Sequence, residues 1–172
     1  MPIYVGSQKI KDLYVGGQKI KEAWTMVSGV LTKVYSSVTF LPMGMKKSGT
    51  ATVPQNVAAL VTGWSADAAY PGTVVTANKL VSSGPKSGVT ITASMPWTAS
   101  ANVYTGGVRC MIYKNGVMVE ASPAILGNSG TCTVTATGVN LVAGDTVELW
   151  SGYSNGFATT VTMTTATYIR FS

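Results

Sequence analysis

The sequence predicts an all-β chain, an N-terminal arm of β-hairpins followed by an antiparallel β-sandwich of jelly-roll type. Three observations predict it. A ten-residue unit is repeated in tandem at the N-terminus. From Ser48 onward, short alternating stretches of apolar and hydroxyl residues follow one another, separated by Gly, Asn, Asp and Pro. Convincing 3.6-residue periodicity is missing; Asn56 to Leu60 comes nearest to it, enough for a single helical turn. At 172 residues the chain has room for one well-buried domain and a short appendage.

The repeat runs Ile3-Tyr4-Val5-Gly6-Ser7-Gln8-Lys9-Ile10-Lys11-Asp12, then Leu13-Tyr14-Val15-Gly16-Gly17-Gln18-Lys19-Ile20-Lys21-Glu22. An aromatic and β-branched pair, a glycine-containing dipeptide and a Gln-Lys-Ile-Lys run read as strand, tight turn, strand. A degenerate third copy extends from Ala23-Trp24 to Lys33-Val34-Tyr35. An isolated two-stranded ribbon is marginal in water, so the arm needs a partner. Its apolar positions Tyr4, Val5, Tyr14, Val15 and Trp24 are the expected contacts, because burying aromatic and β-branched faces supplies most docking energy. We divide the chain at residues 1–36 for the arm and 37–172 for the sandwich.

After the arm, Ser36 to Lys47 reads as a strand and a connector containing Pro42 and Gly44. Strands are expected at 51–53, 58–62, 73–75, 78–81, 88–94, 107–113, 117–121, 130–136, 146–151 and 159–171. Lys114-Asn115-Gly116 marks the clearest hairpin, since Asn-Gly tolerates the positive φ angles of a type I′ turn. Val142-Ala143-Gly144-Asp145 and Ser154-Asn155-Gly156 read as further turns.

Charged residues make up 10 % of the chain, against about a quarter in ordinary soluble domains, and mean hydropathy is positive at +0.28. The surface must therefore be largely hydroxyl and amide, a character common in proteins packed against copies or neighbours. The first 47 residues hold seven lysines against Asp12 and Glu22, leaving +5 there and +1 in the rest. Such a basic arm suits an acidic protein or nucleic-acid surface, while its lysines also keep strand edges from aggregating. The body's cations Lys79, Lys86, Arg109, Lys114 and Arg170 are dispersed, so no specific nucleic-acid site is expected. No run approaches the roughly 18 apolar residues of a membrane helix, and the N-terminus has no apolar leader core; neither membrane insertion nor a signal peptide is expected.

With no histidine, the commonest general base and metal ligand is absent, and Ser-His-Asp, Cys-His and histidine-zinc machinery drop out. Asp145 and Glu148 are the close carboxylates, but an offset of three places them on opposite faces of a strand. No phosphate-binding or dinucleotide fingerprint occurs. The expectation is a non-enzyme without cofactor or metal. Cys110 and Cys132 fit two readings, buried thiols or one bridge between strands. Among loop-adjacent aromatics, Trp64 and Trp97 are the residues a glycan-binding reading would use; the competing reading has them plug the sandwich ends.

The tandem units at 3–12 and 13–22 resemble the N-terminal arms of minor tail and related virion proteins of actinobacterial phages. Leu141-Val142-Ala143-Gly144-Asp145-Thr146-Val147-Glu148-Leu149-Trp150 and the terminal Thr167-Tyr168-Ile169-Arg170-Phe171-Ser172 resemble the last strands of C1q/TNF-like jelly rolls. These resemblances imply a virion subunit assembled in the host cytoplasm, docked by its arm to other structural proteins, and a homo-oligomer, trimer favoured. They fit a minor tail or tail-tip subunit first. A capsid decoration or head-fibre protein and a module binding host cell-wall glycan are the alternatives.

Overall fold

The computed structural model describes residues 4–5, 8–9, 14–15, 18–20, 22–36, 39–155 and 159–172. The chain divides into two compact units, Met1–Thr39 and Phe40–Ser172.

The first unit is a series of antiparallel hairpins: β1 (Tyr4–Val5) with β2 (Gln8–Lys9), β3 (Tyr14–Val15) with β4 (Gln18–Lys19), and β5 (Glu22–Val27) with β6 (Val30–Ser36). Repeated sequence gives repeated register, Tyr4 opposite Lys9 and Tyr14 opposite Lys19. In the third hairpin Val27 pairs with Val30, and Ser28 and Gly29 turn the chain at φ 51° and 81°, the positive pair that a type I′ turn requires. The glycine dipeptides at 6–7 and 16–17 lie outside the described residues.

The second unit holds β7 (Met43–Lys47), β8 (Ala51–Val53), β9 (Ala59–Leu60), β10 (Trp64–Ala66), β11 (Val75–Thr76) and β12 (Lys79–Val81). There follow β13 (Lys86–Lys114), β14 (Val117–Ala121), β15 (Ile125–Leu141), β16 (Thr146–Ser154), β17 (Val161–Met163) and β18 (Tyr168–Phe171). All pair antiparallel in one sheet, ordered β10-β7-β18-β13-β16-β12-β11 along its main path. The long β13 joins two layers. Its first half lies between β15 and the strands β18 and β17; its last eight residues pair with β16 and with β14. Gly106 and Gly107, at φ 65° and 69°, lie where it changes partners.

Period-two alternation builds the core. Val89, Ile91, Ala93, Met95 and Trp97 point inward from β13, answered by Cys132, Val134 and Ala136 of β15 and by Val147, Leu149 and Tyr153 of β16. Thr131, Thr133 and Thr135 alternate outward into solvent, which is how so sparsely charged a chain keeps a polar surface.

The Asn-Gly hairpin is where the sequence places it, with Lys114 opposite Val117 and φ of 50° and 79° at Asn115 and Gly116. The Val142–Asp145 turn also forms, Asp145 N donating to Val142 O at 3.1 Å. Three expectations change. The stretches 88–94 and 107–113 belong to one strand, running through Pro96, which has no N–H to give the ladder but whose carbonyl accepts from Thr164 N at 2.9 Å. Asn56 to Leu60 makes no helical turn: Asn56 takes φ 59°, and Ala59 and Leu60 pair with Ser151 and Trp150. The C-terminal stretch is two strands, parted by a turn in which Thr167 N donates to Thr164 O.

Candidate functional site

In the arm, the backbone places Tyr4, Val5, Tyr14 and Val15 in corresponding strands of successive hairpins; their side chains lie outside the described part. Trp24 is on β5, 50 % exposed, with Nε1 donating to Glu22 Oε2 at 3.2 Å. Met26, two residues on and therefore on the same face, is 66 % exposed. Hydrophobic side chains of this size standing open on a two-stranded ribbon form a face that its own hairpin leaves uncovered.

Two carboxylates of the body, Asp145 and Glu148, are occupied by structure. Asp145 accepts from Asn115 Nδ2 at 2.8 Å, from Val142 N at 2.9 Å and from Lys114 Nζ at 2.9 Å. Burial alone would raise this carboxyl, but those donors outweigh it and hold it below its ordinary range. Glu148, almost wholly buried, accepts from Lys79 Nζ at 2.8 Å and Trp150 Nε1 at 3.0 Å; here too the donors overcome burial and keep the carboxyl below its ordinary range. Each carboxylate has its own lysine, so the two do not share a site.

The structure separates the two tryptophans of the glycan-binding reading. Trp97 is 1 % exposed, packed in the core of β13 with its ring against Gly130, so it offers no face for stacking on a sugar. That expectation is corrected: alternation along the continuous β13 turns position 97 inward. Trp64 is half-buried on β10, its Nε1 donating to Val61 O at 2.7 Å. Near Trp97, Cys110 and Cys132 are both fully buried and free. Cys132 Sγ donates to Val108 O at 3.3 Å, and the hydrogen bond between the thiols together with burial pushes the Cys110 thiol up, out of the reactive range.

Sequence reasoning did not single out the outer face of the β13 and β16 ladder. Cys110 and Ile112 point inward, so Arg109, Met111 and Tyr113 point outward; on β16, Trp150 and Gly152 do the same. Register sets Arg109 opposite Gly152 and Met111 opposite Trp150. Tyr113 stacks on Trp150 with ring centres 4.9 Å apart. Beside Arg109 lies an open groove of about 440 Å³, lined by the 56–58 segment, Gly106, Gly107, Met111 and Gly152. Gly152 is required there: a Cβ would come within 2.6 Å of Val57 O, so only glycine lets that segment approach the sheet. The signal was legible as period-two alternation on either side of the Asn-Gly turn; the groove depends on the 56–58 segment, which carries no such signal.

No family model and no curated protein matches the chain. Among solved structures, it is similar to the Eiger TNF of S. frugiperda, with a TM-score of 0.53 and 11 % identity over 77 % of this chain and 90 % of that one. A carbohydrate-binding module, CBM36 in complex with calcium and xylotriose, aligns over 72 % of this chain and 98 % of that one with 15 % identity and a TM-score of 0.32. At such identities the likeness concerns fold alone, and together with the strand pairing it makes the second unit a jelly-roll β-sandwich.

Proposed function

We propose that the chain is a non-enzymatic structural subunit of a bacteriophage particle, a minor tail or tail-tip protein. It docks on other virion proteins through its N-terminal hairpins and displays the sandwich. The observation that carries this reading is the uncovered face of the third hairpin, where Trp24 and Met26 stand exposed beside a chain of like hairpins. The lysine-rich repeats support it, as does their resemblance to virion arms. So does the commitment of Asp145 and Glu148 to Lys114 and Lys79, which leaves neither as a free acid or base. The sandwich, with its hydroxyl surface, is proposed to associate with further copies of itself.

The test is localisation on the particle. A gold-labelled antibody against residues 40–172, applied to purified phage encoding the chain, is expected to mark the tail or its tip. Label confined to the head would replace this reading with capsid decoration, and absence of the chain from particles, by mass spectrometry and labelling alike, would end it.

A further inference from the structure

Of the body's cations, all but one have a settled role among the described residues. Lys79 and Lys114 pair with Glu148 and Asp145, and Lys46 lies 4.0 Å from Asp67. Lys86 sits 4.8 Å over the Phe40 ring and Arg170 4.6 Å over Tyr168. Lys47 is buried with its amine against Gly63. Arg109 is different. Its side chain is exposed, makes no hydrogen bond or ion pair among the described residues, and lines the groove beside Gly152.

We infer that this groove binds a carboxylate-bearing saccharide, with Arg109 holding the carboxylate. Three features favour that chemistry. No acidic side chain is among the described residues lining the groove, so nothing there neutralises the guanidinium, whose planar fork matches a carboxylate in a two-point contact. Asn56 and Ser154 set an amide and a hydroxyl on its rim, the groups that pair with sugar hydroxyls. Met111 and the half-buried Tyr113 and Trp150 pair continue the same face, an apolar and aromatic strip for the C–H side of a sugar ring. One cation is too few for a nucleic-acid track, which neutralises several phosphates. The site is a recognition function beyond a purely structural role, and does not depend on the arm.

Calorimetry on the full chain tests it, with trigalacturonate as probe and maltotriose, acetate and a hexaglutamate peptide as comparisons. Trigalacturonate is expected to bind and maltotriose not to. Arg109→Gln is expected to weaken binding about tenfold or more, the loss of one charge-assisted contact. Because Arg109 is exposed and unpartnered, this variant is expected to keep the parent unfolding temperature, and Met111→Ala provides a second variant that weakens binding without touching charge. No heat with trigalacturonate at millimolar concentration overturns the inference. So does unchanged affinity in Arg109→Gln, equal binding of acetate alone, or tighter binding of hexaglutamate, which would make the groove a peptide site.

Discussion

Asn115 does more than accept a left-handed turn. Its Nδ2 donates to Asp145 and its Oδ1 accepts from Thr146 N at 2.8 Å, tying the β13 and β14 hairpin to the turn before β16. Asn115→Ala loses both bonds and the residue's tolerance of positive φ, and should cost about 1–3 kcal/mol in urea unfolding. Asp145 and Glu148 make a second prediction. Their carboxyls ionise below the ordinary 3.8 and 4.5 in the fold, so the stability they contribute is complete above those values and is lost as pH falls through the lower folded ones. The unfolding midpoint should therefore drop as pH falls below the ordinary 4.5 and 3.8, and Asp145→Asn should flatten that drop. Cys110 and Cys132, buried as thiols, should resist a disulfide reagent in the native protein and both react once it is unfolded. Early reaction of either thiol in native buffer would contradict their burial.

Among the strands, close approach is set by glycines as much as by apolar residues. Gly44 on β7 lies flat against Tyr70, and a Cβ there would come within 2.6 Å of the ring. Gly44→Ala is expected to destabilise the sandwich by about 1–3 kcal/mol, and Tyr70→Ala in the same chain to recover part of that loss, since it removes the clashing ring. Thermal unfolding of the single and double variants measures the coupling. The sequence announced elements of this kind unevenly. Thr131 to Ala136 and Asn115-Gly116 declare a strand and a turn by local chemistry alone, and the structure has both. Pro96 sits inside β13 although it has no N–H for the ladder, and Thr164, whose N–H its carbonyl accepts, is 68 positions away. For Trp97 the sequence leaves a sugar contact and a plug at the sandwich end both open, and only the continuous β13 fixes its inward face. Arg109 was visible as a dispersed cation, but its lack of a partner and its place in a groove follow from the packing of residues 56–58, which no local pattern encodes.

At the scale of the molecule, a small repetitive hairpin unit and a well-packed sandwich share one chain. The core is built within Phe40–Ser172, from Met43 to Phe171, so a chain starting at residue 40 should unfold cooperatively within a few degrees of the full protein. Light scattering on both chains should give the same number of copies if the sandwich assembles itself, leaving the hairpins for other virion proteins. A drop to monomer on removing residues 1–39 would instead assign self-assembly to the hairpins.

Incorporation is the most direct test of arm-mediated docking. The full chain, the chain lacking residues 1–39 and full-length Trp24→Ser, each tagged at the C-terminus, would be produced in host cells during infection and quantified in purified particles. The full chain is expected to be incorporated, the truncated chain to be excluded although folded, and Trp24→Ser to be incorporated less. Equal incorporation of all three would show that the sandwich, and not the hairpin arm, holds the protein on the particle.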